Sequence, residues 1–495
     1  MHHYYRIIIV LLAQWLTVAG HGYAQAFGPL AQDSILVPQS NDTLTVSPAV
    51  NTRDTVTIGN ISIEGNYRTL TPIILREMAV QVGDLVPEQD LERRLEIDRR
   101  KIVNTNLFVT VDMKHFVDPH DTTLVDVRIL VKERLYFVLL PVFELADRNF
   151  NEWWYERNHD FRRTTYGLFM SYLNLTGRAD RLTLSAVFGF VPRYDILYSV
   201  PYIDRQMKTG ITTGISYTTN KTLPYRTWKD KLDYFNSESL NRERLIIYGT
   251  LRRRNKFYDN HLLDFRWVSM QLSDTLTRLN PNYLLDSRKT QNFFQLTYTY
   301  SYDRRDNVQY PLRGYRYGGQ VSKQGLLPFD DLNQGYLYGW YNRYLPLGKR
   351  WFFNTGLTAR LSMPTRQPYA QTLGLGFRRD LVRGYELYVI DGQHYFLSSN
   401  ELKYRLFSFQ KTFPWIPVRQ LNTIPLTAYL NSFADLGYVR NYYPELSNTR
   451  LGNKLIAGAG LGLDVVTFYN LILRFNYTIN GLGQDRFFFQ VGRSL

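Results

Sequence analysis

Much of the chain between Tyr136 and Leu495 alternates between apolar and polar residues. The alternation is clearest near the C-terminus, where one face carries Leu455, Ala457, Ala459, Leu461, Leu463 and Val465 and the other carries Gly458, Gly460, Gly462 and Asp464. Residues 182–188 and 294–303 repeat it. Successive side chains of a β-strand point to opposite faces, so this period of two predicts strands with one apolar and one polar face.

A soluble sandwich and a membrane barrel both produce such alternation. Strands of about nine to eleven residues, the length that a tilted strand needs to cross a bilayer, favour the barrel. Tyr and Phe near the strand ends favour it as well, because aromatic rings suit membrane interfaces. A bilayer offers no water to backbone amides, so a spanning sheet must close on itself. We therefore predict an all-β transmembrane barrel of about 16 antiparallel strands over residues 136–495.

Residues 55–135 show the pattern of a small α+β domain. The predicted elements are a strand near Ile58–Ile63, a helix near Ile73–Met78, a helix that opens at Pro87, and strands at Phe108–Phe116 and Val125–Ile129. The helices follow from apolar residues at helical spacing, and the last two strands from alternation. The predicted order is β-α-α-β-β.

The N-terminus has the features of an export signal. Arg6 precedes an apolar run, and Ala24-Gln25-Ala26 supplies a small-x-small cleavage pattern. We predict a signal peptide at residues 1–26, followed by a flexible linker at residues 27–54 that is rich in Ser, Thr, Pro and Asn. The alternative, a retained membrane anchor, needs a longer apolar run of roughly 20 residues.

Composition excludes several classes of function. The 495 residues include no cysteine, which excludes a disulfide scaffold, a thiol nucleophile and a lipoprotein anchor. No GxSxG, HExxH or phosphate-loop sequence occurs, so we expect neither an enzyme nor a cofactor or metal site. The net charge of +15 would suit nucleic acid, but an exported chain does not meet it. We expect these charges to meet the phosphates of lipopolysaccharide or to line the barrel lumen.

Several short sequences together resemble a known family. Leu381 precedes the sequence Val382, Arg383, Gly384, Tyr385, which is similar to the VRGF/Y motif of the outer-membrane protein assembly family, the BamA/TamA type or bacterial surface antigens. Phe433, Asp435 and Gly437 resemble its FxDxG motif. Residues 302–307 with Pro311 and Gly314 resemble its DxRDN…PxxG segment, and residues 174–178 its NLFG turn. The small domain resembles a single POTRA domain. The resemblance implies that residues 382–385 lie at the tip of the sixth external loop, inside the barrel lumen.

The alternation independently turns two carboxylates toward the lumen. Asp435 lies between the apolar positions Ala434 and Leu436, and Glu401 precedes the lipid-facing Leu402. A guanidinium has a planar fork that can bridge two carboxylates. We predict that Arg383 pairs with Asp435 and, as a second partner, with Glu401. The alternative is that all three are ordinary solvated lumen charges.

The first and last barrel strands form the predicted seam. The first, Tyr136–Phe143, contains Pro141, which cannot donate a hydrogen bond to a ladder. The last, Phe487–Leu495, presents Phe487, Phe489 and Val491 on one face. An under-bonded seam would fit the lateral gate that the resemblance implies, where an exposed strand edge templates a client strand. The alternative is that Pro141 lies in the turn before the strand.

Two functions remain open. The first is an assembly, insertion or translocation factor whose POTRA domain receives unfolded outer-membrane or exported proteins and whose barrel opens laterally, in a specialised or accessory role. The second is a passive outer-membrane channel or structural barrel with a plugged lumen. Either places the barrel in the outer membrane of a Gram-negative bacterium, among lipids and lipopolysaccharide, with the POTRA domain in the periplasm. Accessory periplasmic proteins are further expected partners of the first.

Overall fold

The computed structural model describes residues 55–492 except 106, 120, 205, 207, 256–257, 378, 413–422 and 468–470. The predicted signal peptide and linker lie outside the described residues. So do residues 493–495 of the predicted last strand.

The N-terminal domain is a four-stranded sheet with two helices. Its elements are β1 (Thr55–Glu64), α1 (Thr71–Leu75), β2 (Leu85–Pro87), α2 (Glu88–Asn104), β3 (Phe108–Val117) and β4 (Leu124–Glu133). The sheet order is β2-β1-β4-β3, with β1 parallel to β4 and the other pairs antiparallel. The predicted α+β order is confirmed, with β2 as an addition. Three residues are too few to show an alternation, so β2 gave no sequence signal.

The core of this domain lies between the sheet and α2. Val125, Val127 and Ile129 are buried on one face of β4, as the alternation predicts. Leu91 and Leu95, one helical turn apart, are buried on α2 in the same cluster. The buried carboxylate of Asp98 accepts the N–H groups of Ala79 and Val80, at 2.8 and 2.9 Å, and so ties α2 to the segment before β2.

Sixteen antiparallel strands follow in one sheet. In chain order, with the intervening elements, they are β5 (Phe137–Leu145), α3 (Phe150–Glu156), β6 (Thr164–Leu173), β7 (Arg181–Gly189), β8 (Arg193–Val200), β9 (Thr209–Asn220), the hairpin strands β10 (Thr222–Trp228) and β11 (Lys231–Asn236), β12 (Arg242–Arg254), β13 (Asp259–Leu272), α4 (Asp274–Leu279), β14 (Thr290–Asp303), β15 (Gly314–Gln324), β16 (Gln334–Pro346), β17 (Trp351–Met363), β18 (His394–Thr412), β19 (Thr423–Arg440), α5 (Pro444–Ser447), β20 (Leu455–Val466), β21 (Ile472–Asn480) and β22 (Asp485–Gly492). Each barrel strand pairs with its barrel neighbours in the sequence; β10 and β11 pair only with each other. The predicted all-β barrel of about 16 strands is confirmed.

The alternation in sequence corresponds to the two faces of this sheet. On β20, Leu455 and Leu461 are 70% and 60% exposed on the outer face, whereas Asp464 is fully buried on the inner face. In a membrane the exposed outer side chains contact lipid, so this exposure is favourable there. In the described part of the chain, no helix is both long enough and apolar enough to cross a membrane.

The N-terminal domain docks on the turn that joins β6 to β7. Asn174, which is fully buried with a φ of 54°, donates to the hydroxyl of Thr69 at 2.9 Å. The Leu70 N–H donates to the carbonyl of Gly177 at 3.0 Å. Tyr136, predicted to begin the first barrel strand, instead lies in the core of the N-terminal domain, and its hydroxyl donates to the Leu107 carbonyl at 3.1 Å. The turn at residues 174–178, which resembles the NLFG turn of the family, therefore positions the N-terminal domain against the barrel.

Loops close the barrel end that lies away from the N-terminal domain. The turn of the β10–β11 hairpin places the buried Asp230 carboxylate against the Arg450 N–H, at 2.9 Å, and the Thr449 hydroxyl. The Val389 N–H donates to the Asp230 carbonyl at 2.9 Å. Thr227 in the same hairpin donates to Asp391 at 3.1 Å. The hairpin thus joins the loop of residues 364–393 to the loop that contains α5.

Candidate functional site

Arg383 holds the tip of the loop of residues 364–393 against the inner barrel wall. The side chain is 2% exposed. Its Nε and Nη2 atoms donate to the two carboxylate oxygens of Asp435 at 2.7 and 2.6 Å, and its Nη1 donates to Glu401 at 3.4 Å. The guanidinium also lies 4.1 Å from the centre of the Phe433 ring. We call Arg383, Asp435 and Glu401 the arginine lock. The bidentate geometry with Asp435 is the strong form of this ion pair.

Strand register places the two carboxylates beside each other. On the paired strands β18 and β19, Ser399 lies opposite Asp435 and Glu401 lies opposite Phe433. Residues two apart on a strand share a face, so Glu401 and Asp435 both point inward. The VRGY and FxDxG sequences therefore meet in space: Asp435 accepts the Arg383 backbone N–H at 3.1 Å as well as its side chain.

Glycines make room for the loop tip. A Cβ atom at Gly437 would lie 2.5 Å from a methyl group of Val382, and one at Gly458 would lie 1.9 Å from the Arg383 carbonyl oxygen. Gly384 has a φ of +95°, which favours glycine, and its carbonyl accepts from the Asn480 side chain at 2.9 Å. Tyr385, the last residue of the motif, accepts the Gly481 N–H at 3.0 Å. The alternation in sequence placed Gly458 on the polar face, but its contact with the loop depends on barrel register.

Substituting Gly458 by alanine should displace the loop tip. The new methyl group would overlap the Arg383 carbonyl, and overpacking of this kind costs roughly 1–3 kcal/mol of folding free energy. We expect trypsin to cleave after Arg383 in the G458A barrel and to leave that bond intact in the parent. Gly249 lies in strand β12, where an added Cβ atom would meet no other atom within 4 Å, so G249A is the matched control. Equal protection in both variants would contradict the packing role of Gly458.

Further charged side chains extend the arginine lock along the inner wall. Arg474 on β21 makes two hydrogen bonds to Asp464 on β20, at 2.8 and 2.9 Å. The Lys403 ammonium lies 3.1 Å from Glu401 and 3.7 Å from Asp464. The row thus contains three cations and three carboxylates, all at most 6% exposed: Arg383, Lys403, Arg474, Glu401, Asp435 and Asp464. Alternation placed Glu401, Asp435 and Asp464 on the polar face, but it did not indicate that Lys403 and Arg474 would pair with them.

A turn from the opposite end of the barrel reaches the same row. The segment between β14 and β15 contains the residues that resemble the DxRDN…PxxG segment of the family. Within it, the Asn307 side chain accepts the Tyr310 N–H at 3.1 Å and so folds Tyr310 inward. The Tyr310 hydroxyl donates to Asp464 at 2.8 Å, and the Lys403 ammonium lies 4.0 Å from the Tyr310 ring centre. Two loops from opposite ends therefore meet on one row of charges.

Burial perturbs two acids in the loop of residues 364–393. Desolvation raises the pKa of Glu386 to about 8, although Glu386 accepts the Gly384 N–H at 2.8 Å. Desolvation likewise raises the pKa of Asp391 to about 7, in spite of its hydrogen bond from Thr227. Burial therefore stabilises the neutral form of each acid relative to the same acid in water, which suits a loop packed inside a barrel. No cluster of three or more His, Asp or Glu side chains suited to a metal ion occurs in the described ranges.

The seam lies between β5 and β22, the two ends of the sheet. Within the described ranges these strands do not pair with each other. The structure corrects the predicted bounds: the first strand spans Phe137–Leu145, and the last begins at Asp485. Pro141 lies inside β5, opposite Leu168, and not in a preceding turn. Phe487 and Val491 are 49% and 52% exposed. The ring of Phe489 packs against that of Phe150, the first residue of α3.

Comparisons with known proteins agree with this architecture. The Omp85 superfamily domain matches residues 174–495. The structure of BamA from Haemophilus ducreyi lacking POTRA domains 1–3 is similar, with a TM-score of 0.62 and 16% identity over 88% of this chain and 84% of that chain. CdiB from Escherichia coli is similar with a TM-score of 0.51 and 13% identity over 88% of this chain and 76% of that chain. No curated protein matches. The chain therefore belongs to the Omp85 superfamily of outer-membrane β-barrels.

Proposed function

We propose that the protein assembles or translocates other outer-membrane or exported proteins. In this proposal the N-terminal domain is a periplasmic POTRA domain that receives unfolded clients, and the barrel opens at the seam between β5 and β22. The observation that carries the proposal is that the described residues of β5 and β22 do not pair with each other, whereas every other pair of neighbouring barrel strands does. An unpaired strand edge in a bilayer is costly, and it is also a template for another strand.

The N-terminal sheet supports a receiving role. One of its edges is β2, which has three residues and ends in Pro87. The other edge is β3, with ten residues from Phe108 to Val117. A long edge without proline can accept an extended client by strand addition, whereas β2 offers little backbone for it. We therefore assign client binding to the β3 edge.

The arginine lock supports a barrel that is held in one conformation and then released. Its bidentate ion pair fixes the loop of residues 364–393 in the lumen. On its other side this loop is bonded to the β10–β11 hairpin through Thr227 and Asp391. The alternative function, a passive channel or a structural barrel with a plugged lumen, would need neither an unpaired seam nor an N-terminal sheet with a long free edge.

Depletion of the protein distinguishes these functions. We expect outer-membrane proteomes to lose other barrel or exported proteins, because the clients would lack their insertion site. Loss of many barrels would indicate a general role, and loss of a single client a dedicated one. The measurement is quantitative mass spectrometry of outer membranes with and without the protein. Loss of solute uptake alone, with unchanged barrel proteins, would contradict the proposal and favour the passive channel.

A further inference from the structure

The seam contains a segment that imitates a strand. Residues 146–163, which connect β5 to β6 and include α3, fold back against the edge of β22. The Asn151 side-chain NH2 donates to the Phe489 carbonyl at 3.0 Å, and the Asn151 side-chain oxygen accepts the Phe489 N–H at 3.0 Å. Asn151 is 2% exposed. We call residues 146–163 the seam cap.

The two bonds reproduce the pattern of an antiparallel β-pair. In such a pair, two opposite residues exchange both of their backbone hydrogen bonds. The carboxamide of Asn151 has the donor and acceptor of a peptide group, and it binds both backbone groups of one residue on β22. Asn151 therefore occupies the place that one residue of a neighbouring strand would take.

The helix continues this imitation for one more position. The Tyr155 hydroxyl donates to the Phe487 carbonyl at 2.8 Å. Four residues of α-helix rise about 6 Å, and two residues of strand rise about 6.6 Å, so one helical turn matches one repeat along the edge. The Phe150 ring packs edge-on against Phe489, with 5.6 Å between the ring centres. The match is local, because helix and strand lose register beyond this length.

Neighbouring loops hold the seam cap in place. Asn149 caps α3 by accepting the Glu152 N–H at 2.8 Å, and its NH2 group donates to the Glu386 carbonyl at 3.0 Å. Arg148 donates to the Gly376 carbonyl at 2.5 Å and pairs with Glu152 at 2.7 Å. The cap is thus joined to the loop that carries the arginine lock. Displacement of that loop would remove contacts of the cap.

We propose that the seam cap is a displaceable placeholder for an extended polypeptide segment, with Asn151 standing in for one residue of the incoming strand. Alternate residues of a strand direct both backbone groups to the same side, so Phe487, Phe489 and Val491 direct theirs away from β21, and among the described residues the cap binds three of these six groups. An incoming strand can bind all of them, so it can outcompete the cap. The exposed Phe487 and Val491 side chains select a partner with apolar residues at alternate positions. This inference rests on the proposed function.

Peptide binding to the full chain in nanodiscs tests the placeholder. The probe is a fluorescein-labelled peptide with the sequence of residues 137–145, the strand that borders the seam. N151L removes both competing hydrogen bonds, so we expect the variant to bind the peptide about tenfold more tightly by anisotropy. The side chain of Asn280, which follows α4, also donates to a backbone carbonyl, that of Tyr225 on β10 at 2.6 Å, so N280L is the matched control. Heat-modifiable migration on gels would show that both variants remain folded.

The outcomes separate the two proposals. Unchanged or weaker peptide binding by the folded N151L variant would overturn the placeholder. Tighter binding by N151L but not by N280L would support it. A second measurement, insertion of an unfolded barrel into liposomes by the parent chain, tests the proposed function alone. Absence of insertion together with tighter peptide binding by N151L would overturn the proposed function and leave the placeholder standing.

Discussion

Replacing Arg383 by glutamate is expected to release the loop of residues 364–393 and to abolish assembly activity. The substitution would place a third carboxylate beside Asp435 and Glu401, which lie 2.6 and 3.4 Å from the guanidinium nitrogens. Removing one partner of a buried ion pair costs roughly 3–5 kcal/mol, and a like charge adds repulsion. The measurements are the temperature at which the barrel loses heat-modifiable migration and the rate of client insertion.

A charge swap provides the control for this prediction. R383E combined with D435R restores opposite charges at the same two positions and should recover part of the stability and activity. R383K keeps the charge but loses the planar fork, so we expect a smaller loss than for R383E. No defect in R383E, or no recovery in the double variant, would show that the pair does not hold the loop.

Replacing Arg474 by leucine is expected to destabilise the barrel by an amount similar to that for R383E. Arg474 is 3% exposed and neutralises Asp464 through two hydrogen bonds. Without it, the row of charges would hold more carboxylates than cations, at a cost of roughly 3–5 kcal/mol if water does not enter. The unfolding temperature in detergent measures this loss.

Two further variants make the prediction specific. R474L combined with D464L removes both charges and should recover much of the stability, because apolar replacement of a buried pair is often neutral. Arg193 pairs with Asp195 at 3.0 Å, and their side chains are 17% and 24% exposed, so water can replace the lost partner and R193L should cost less than R474L. Equal losses in R474L and R193L would contradict the importance of burial.

The sequence predicted the barrel because its physical cause is local. Each strand has one face against lipid and one against the lumen, so alternation appears in every strand, as on β20 from Leu455 to Val466. The same alternation turned Glu401 and Asp435 inward. The pairing of Arg383 with both was an inference from chemistry and motif, and the structure places the three side chains within hydrogen-bond distance.

Other features could not be predicted because they depend on register across distant strands. Lys403 and Arg474 meet at Asp464 only because of the way β18, β20 and β21 are staggered, and alternation along a single strand does not report that stagger. The contact of Gly458 with the Arg383 carbonyl has the same origin. The seam cap gave no signal, because the seven residues of α3 are too few to show a helical period and Asn151 reads as an ordinary loop residue.

In the proposed function, the edge of β22 receives client strands at the seam. The natural chain has no cysteine, so a single V491C substitution provides a unique thiol on this edge, where Val491 is 52% exposed. Leu357, 43% exposed on β17, is paired on both sides, so L357C is the control. With a stalled barrel client that carries one cysteine in its terminal strand, we expect disulfide cross-linking to V491C and not to L357C. Equal cross-linking to both positions, or none to V491C, would contradict the claim.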